Sequence, residues 1–403
     1  MPTNTSIAFV ANTSWSIYKF RLYLLQRLID SGYTIYVLAP RDNYTAHFEH
    51  LPGLTYIELT KFRSKSLSPF HDIALYRELR RHYRRIRPDL IFHYTIKANI
   101  FGSWAASHIK CPSVSVITGL GYAFSEPSLL QTAVKLIYRK VLRKNAEVWF
   151  LNTDDRSVFI QQRLVPEEKT FILPGEGVDA DLFYPAPYEE GGIRSASAGA
   201  ASAPGSTQSA PARPLTFLLI ARIIRHKGIY EFIRAAELLQ KKGLPVRFQL
   251  LGFFDEGNPV QISAEQVSEW VDQKSIDYLG YADEVAPYIE QADCIVLPSY
   301  REGMPLSLLE GASMCKALIA TDVAGCREVI RDGVNGYLCR NKDAADLADK
   351  MERYYRLSAT AKRQMGMEGR SRILQHFTNE IVTGIYIDRL QQLLPPDRSE
   401  HRE

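Results

Sequence analysis

Ser299-Tyr300-Arg301-Glu302-Gly303-Met304-Pro305-Leu306-Ser307-Leu308-Leu309-Glu310 follows Cys294-Ile295-Val296-Leu297-Pro298, a short apolar run that reads as a buried strand. Beyond the loop, Leu306, Leu309 and Met314 recur at helical spacings. Pro305 suits a first helical turn, where its missing N–H costs nothing. The reading is strand, glycine-containing loop, helix. Such a loop presents free backbone N–H groups and the positive end of a helix dipole, which together suit an anion. Glu302 and Glu310 bracket it. A carboxylate accepts hydrogen bonds in pairs, so it suits sugar or ribose diols better than phosphate. With Glu302 on the loop and Glu310 in the helix, both can face one crevice; the plain alternative is a solvated acid and an ordinary helix acid. The residues C-terminal to Glu310 favour the crevice. Ala317-Leu318-Ile319-Ala320-Thr321-Asp322 reads as the next strand, runs into Gly325-Cys326-Arg327-Glu328-Val329-Ile330, and Gly333-Val334-Asn335-Gly336-Tyr337-Leu338 is a turn into another strand.

Working outward, the same alternation fills the chain. Apolar runs at 7–11, 34–39, 89–94, 113–117, 147–151 and 170–173 are separated by helical stretches, including 17–31 and a basic one at 76–86. After a break the pattern restarts with strands at 215–220, 246–252 and 276–280 and a helix at 229–241. Alternating strands and helices predict parallel sheets covered on both faces. At 403 residues, two α/β domains are the natural division. The break is the Ala/Ser/Gly/Pro tract, too poor in apolar groups to bury and read as a flexible linker. The expected domains are 1–186 and 214–377, joined by a linker at 187–213, with 378–403 as a last helix and tail.

Composition narrows the class. Hydrophobic content of 46% and charged content of 23% describe an ordinary globular protein, and no apolar run approaches a membrane span. The start, Met1-Pro2-Thr3-Asn4-Thr5-Ser6, lacks the basic and long apolar regions of a signal peptide. Five scattered cysteines, none in a C-x-x-C pair, point to reduced thiols in a cytoplasmic protein and away from zinc. Cations interleave with aromatic and aliphatic groups at 77–87 and 135–144. Such helices either lie on an anionic bilayer or are simply solvated faces. No nucleic-acid recognition motif accompanies them, so nucleic acid is not an expected partner.

Two further clusters carry chemistry. Arg222 ends a strand and Lys227-Gly228 opens a helix. Cations at a helix N-terminus are electrostatically misplaced for stability, and they make sense if an anion such as a diphosphate sits between them. Asp179-Ala180-Asp181 spells the D-x-D of metal-dependent transferases, yet it belongs to Gly175-Glu176-Gly177-Val178-Asp179, just before the linker, and no His/carboxylate cluster with ligand spacing accompanies it. No metal is expected.

E-G-M-P-L-S-L-L-E (302–310), A-T-D-V-A-G-C-R-E-V-I (320–330) and G-V-N-G-Y-L (333–338), in this order, resemble the donor-binding end of the family-four retaining glycosyltransferases. The resemblance implies a GT-B fold: α/β, two Rossmann-like doubly wound domains facing across a cleft, with the C-terminal helix at 381–394 returning to the first. It implies transfer from a nucleotide sugar, with a UDP-sugar as the expected donor, without metal or other cofactor. Arg222 and Lys227 match the family's diphosphate-binding pair. Glu310 would hold the ribose, Glu302 the transferred sugar, and the Gly303-Met304-Pro305-Leu306 loop the diphosphate.

Ile117-Thr118-Gly119-Leu120-Gly121-Tyr122-Ala123-Phe124 and His93-Tyr94-Thr95-Ile96-Lys97-Ala98-Asn99 resemble the subgroup acting on polyprenyl-diphosphate-linked sugars. Where many relatives carry His-Gly, this chain has Thr118-Gly119, so no histidine role transfers there and Thr118 and Gly119 stand as candidate substrate contacts. His93 and Lys97 would face the cleft from a strand end, although a lone histidine there is as readily structural. Gly119 and Gly121 would let backbone approach the donor or form a plain turn. In Trp15-Ser16-Ile17-Tyr18-Lys19-Phe20-Arg21, the cations Lys19 and Arg21 would hold the acceptor's phosphates or lie solvated. The expected partners are thus a UDP-sugar, a polyprenyl-linked saccharide and the inner face of the cytoplasmic membrane. A 2-epimerase on the same fold and a non-catalytic sugar-nucleotide scaffold remain alternatives.

Overall fold

The computed structural model describes residues 5–394, apart from 65, 67, 121–128 and 186–212. Gly121 to Phe124, nearly all of the Ala/Ser/Gly/Pro tract and the tail after 394 lie outside the described residues.

One sheet holds β1 (Ser6–Val10), β2 (Thr34–Ala39), β3 (Leu54–Glu58), β4 (Leu90–Tyr94), β5 (Ser113–Ile117), β6 (Glu147–Phe150) and β7 (Thr170–Ile172). The other holds β8 (Leu215–Ile220), β9 (Val246–Leu251), β10 (Asp277–Tyr278), β11 (Cys294–Leu297), β12 (Ala317–Thr321) and β13 (Gly336–Cys339). Their orders are β3-β2-β1-β4-β5-β6-β7 and β10-β9-β8-β11-β12-β13, and every pairing is parallel. These are two doubly wound domains. In each, the order reverses beside its first strand, between β1 and β4 and between β8 and β11. Crevices form outside the carboxyl ends of the strands at such switch points.

Strand side chains alternate between faces, and both faces are buried. In the first domain Ile7, Phe9, Phe92 and Trp149 point to one core, while Ala8, Val10 and Ile91 join Leu75, Leu79 and Tyr83 of the helix Pro69–Ile86 on the other face. In the second, Phe217, Leu219, Val296 and Ile319 pack on Phe232 and Met351; Leu218, Ile295 and Leu318 pack on Leu308, Leu309 and Ile373. β3 is not among the strands expected from the sequence. It is an edge strand with half-exposed residues, and that weakens its apolar pattern.

The C-terminal helix Asn379–Leu393 buries Val382, Tyr386 and Leu390 in the first-domain core. Its start is tied to the chain leaving that domain: Val178 N donates to the Phe377 carbonyl at 2.9 Å, and Asn379 N to the Val178 carbonyl at 3.0 Å. Arg21, on the helix Ser14–Asp30, ion-pairs with Glu176 in this crossing segment, and its guanidinium lies 3.6 Å from the centre of the Tyr94 ring. The Tyr94 hydroxyl is 3.1 Å from that of Tyr386. One buried charge pair thus joins the first helix, the crossing segment and, through Tyr94, the last helix.

Removing one partner of such a pair leaves an uncompensated buried charge. Glu176→Gln is expected to cost about 3–5 kcal/mol of stability, while the double replacement Arg21→Met with Glu176→Leu is nearly neutral. Urea unfolding of the three proteins tests this, and an unchanged midpoint for Glu176→Gln would refute it.

Candidate active site

The second-domain side of the candidate site is built at that domain's switch point, where backbones meet too closely for side chains. A Cβ on Gly252, just after β9, would stand 1.7 Å from the Ala221 carbonyl oxygen. Gly228 has φ +71, and a Cβ there would stand 1.9 Å from the Pro298 carbonyl oxygen. The turn Arg225–Lys227 therefore lies directly against the exit of β11. Lys227 Nζ reaches Glu302 Oε1 at 2.5 Å, with both side chains largely shielded. Arg222 follows β8, is more exposed, and pairs with Asp255 at 2.9 Å.

The loop after β11 enters the helix Leu306–Ser313 through Pro305, which stands one position before its first residue. Glu310 lies in that helix and is 3% exposed. Its Oε1 has no hydrogen-bond partner among the described residues, and Lys19 Nζ stands 4.0 Å away. Burial pushes the Glu310 carboxyl up to about 7, against the opposing pull of Lys19. A buried carboxylate oxygen without a donor is costly, and a ligand hydroxyl is the kind of group that relieves it. The Gly303 and Met304 amides donate to no group among the described residues. The Met304 side chain is half-buried against both domains, where a Cβ on Gly175 would come 2.7 Å from its Cγ.

From the first domain, the backbone after β5 closes on this loop. A Cβ on Gly303 would stand 2.1 Å from the Thr118 carbonyl oxygen and 3.2 Å from Gly119 N, and Gly119 itself has φ +138. Thr118 and Gly119 thus meet the Gly303 loop through their backbone. Lys19 comes from the helix Ser14–Asp30, started by Thr13, whose Oγ1 accepts from Ser16 N at 3.2 Å.

Three first-domain expectations are corrected. Arg21 is 3% exposed and occupied by Glu176 and Tyr94, so it presents no cation to the cleft. His93 is fully buried inside β4, with Nε2 3.0 Å from the Tyr83 hydroxyl and Nδ1 3.2 Å from Ser103 Oγ. Burial drives its imidazole down to about 3, keeping it neutral and structural. Lys97 donates to Asp72 at 2.7 Å and to the Ser66 carbonyl at 2.5 Å, which fastens the segment before the helix Pro69–Ile86. Asp179 caps its own turn, accepting from Leu182 N at 2.8 Å and Asp181 N at 3.1 Å.

Several residues at the seam are not among those expected from the sequence. Asn152 caps the helix Thr153–Gln161 and donates from Nδ2 to the Gly303 carbonyl at 2.9 Å. Beside it Arg327 pairs with Asp154, and Thr153 Oγ1 donates to Glu328 at 3.3 Å. At another point on the seam the Tyr44 hydroxyl bonds Asp283 and lies 2.9 Å from that of Tyr281. The cap at Asn152 is legible as an N-cap before a helix. Contacts between residues this far apart leave no local signal.

Comparison with known proteins agrees with this geometry. Residues 214–356 match the family described as Glycosyl transferases group 1, and residues 6–152 match Glycosyl transferase 4-like. The chain is 28% identical to the Campylobacter jejuni N,N'-diacetylbacillosaminyl-diphospho-undecaprenol alpha-1,3-N-acetylgalactosaminyltransferase, over 86% of this chain and 88% of that one. It is 24% identical to the Escherichia coli UDP-Gal:alpha-D-GlcNAc-diphosphoundecaprenol alpha-1,3-galactosyltransferase, over 67% and 66% of the two chains. Anabaena HepE, solved with UDP and glucose, superposes with a TM-score of 0.74 at 15% identity, covering 96% of this chain and 99% of that one. With both domains matched, the chain is a glycosyltransferase of the GT-B fold, related to the undecaprenyl-diphosphate-sugar transferases.

Proposed function

We propose that this protein moves a hexose or N-acetylhexosamine from a UDP-sugar onto a polyprenyl-diphosphate-linked saccharide, with retention at the anomeric carbon. The observation that carries the reading is Glu310: a buried carboxylate oxygen without a donor, set beside the loop whose Gly303 and Met304 amides also lack partners among the described residues. A ribose diol fits the first and a diphosphate the second. The names of the Campylobacter and Escherichia relatives, both acting on undecaprenyl-linked sugars, support the acceptor class.

Arg222 and Lys227 then stabilise the diphosphate as negative charge grows on it. Lys227 exchanges Glu302 for phosphate, which frees Glu302 for hydroxyls of the transferred sugar. The C1–O bond to the diphosphate breaks with its electron pair leaving on UDP. The acceptor hydroxyl bonds C1 from the same face, and its proton passes to the departing diphosphate oxygen. Inversion of the product, or a trapped glycosyl-enzyme, would overturn this course.

The same reading places the protein on the inner face of the cytoplasmic membrane. Phe70 is 82% exposed and Leu136 60%, with Ile73, Trp104 and Ile137 also exposed on neighbouring helices. Exposed Arg77, Arg81, Arg139 and Lys140 accompany them on the helices Pro69–Ile86 and Leu129–Leu142. Apolar tips among cations suit an anionic bilayer surface.

Three outcomes are expected. Purified protein with bacterial polyprenyl-linked lipid releases UDP from one member of a UDP-sugar panel, in the presence of EDTA; Arg222→Ala or Lys227→Ala lowers that rate about 10²-fold. Lipid-independent release would favour the epimerase, and binding without turnover the scaffold. Affinity for a UDP-sugar, whose diphosphate carries no group titrating between pH 6 and 8, weakens by up to about tenfold as pH falls across that range when measured calorimetrically, because the ionised Glu310 accepts the ribose hydroxyls and is lost on protonation near 7. Glu310→Gln flattens that dependence, and a pH-dependent Glu310→Gln would reject the assignment. Cosedimentation with anionic vesicles falls for the double replacement Phe70→Ser, Leu136→Ser, and unchanged binding would count against this face.

A further inference from the structure

Two successive peptide planes of the donor loop are held by hydrogen bonds from different domains. Gly325 N, from the second domain, donates to the Glu302 carbonyl at 3.3 Å. Asn152 Nδ2, from the first, donates to the next carbonyl, that of Gly303, at 2.9 Å. A trans peptide is planar with its N–H opposed to its C=O, so fixing these carbonyls also fixes the Gly303 and Met304 N–H vectors. Neither of those two amides has a partner among the described residues. Gly303 has no freedom to lean away, since Thr118 stands against one side and a Cβ on Gly325 would come 2.4 Å from its carbonyl oxygen on the other.

Asn152 is built for this contact. It is fully buried, its Oδ1 accepts from Asp155 N at 2.8 Å, and its Nδ2 also donates to Asp155 Oδ2 at 3.1 Å. The backbone N–H at Asp155 requires the amide oxygen on its side, and that turns Nδ2 toward Gly303. Both donors and the acceptor of the side chain are used. Only one of these bonds crosses between the domains.

We propose that Asn152 is a positioning residue for the transfer reaction, aligning the Gly303–Met304 peptide when the two domains close. The second domain alone fixes the first of the two planes; the other is set only with Asn152 in place. UDP can therefore bind the open protein through Glu310, Arg222 and Lys227, while the full set of loop amides is in register only in the closed one. The inference rests on the proposed donor site, with the loop amides acting on the diphosphate.

Asn152→Asp is the informative variant. It keeps the oxygen that caps the helix Thr153–Gln161 and removes the donor to Gly303. The expected result is a UDP dissociation constant within about twofold of wild type and a kcat lowered about tenfold, the scale of one lost hydrogen bond that acts in the transition state. In N152D/D155N the amide–carboxylate pair is restored in reverse at the helix start, so the melting temperature recovers while kcat stays low. Small-angle scattering with saturating UDP should show N152D more open than wild type. A kcat within twofold of wild type, a loss of UDP affinity as large as the loss in kcat/KM, or recovery of kcat in the double variant would each overturn the proposal. If wild type turns over no sugar nucleotide, the transferase reading fails. The scattering comparison then still decides whether Asn152 holds the domains together, and equal scattering would reject it.

Discussion

The buried pair of Arg21 with Glu176 ties the first helix to the segment by which the chain leaves the first domain. An α-helix turns about 100° per residue, so Lys19 and Arg21 point some 200° apart. Once Arg21 is sunk against Tyr94 and the crossing segment, Lys19 has to emerge on the opposite side. That side is the cleft, where Lys19 meets Glu310. A single charge pair therefore anchors the domain crossing and selects which cation of the Lys19-Phe20-Arg21 motif is available to a substrate. Tyr386 extends the same packing to the last helix, so both passages of the chain between domains converge on one buried cluster.

The placement of the second-domain candidates was legible because those residues lie just past strand ends. Loop residues after β8 and β11 face the switch-point crevice whatever the packing beneath them, so Arg222, Lys227 and Glu302 could be placed from the alternation of strands and helices alone. Glu310 lies one helical turn deeper, and its depth follows from Leu308, Leu309 and Ala312 packing on the sheet around it. The first domain was harder to read for a physical reason. His93 lies inside β4 rather than beyond it, and a side chain within a strand points to a sheet face, not past the carboxyl end. In a sheet covered on both faces, that meant burial beside Tyr83. Lys97 does lie beyond the strand, but Asp72 takes it, and no local pattern signals a partner 25 residues back.

The cleft balances its charges internally. Lys227 with Glu302, Lys19 with Glu310 and Arg222 with Asp255 put each of these three cations beside a carboxylate. Partly buried cations without such partners would carry a desolvation cost. A diphosphate brings its own negative charge and can take over the cations without leaving them bare. The carboxylates it releases do not become orphans either, because a nucleotide sugar carries hydroxyl donors. An inorganic anion would supply the charge but not those donors, so exchange of partners favours a ligand that combines both.

The same exchange explains why a glycine stands at 303. The loop has to present amides to an anion on one side and its carbonyls to the protein on the other, with first-domain backbone within contact distance. Any side chain would strike the Thr118 carbonyl and hold the domains apart. Closure, loop geometry and amide presentation are therefore one constraint rather than three. The tightness of that contact gives a single first-domain side chain leverage on the Gly303 loop: with little slack between the backbones, the hydrogen bond from Asn152 constrains the orientation of the Gly303 carbonyl as well as adding an attraction.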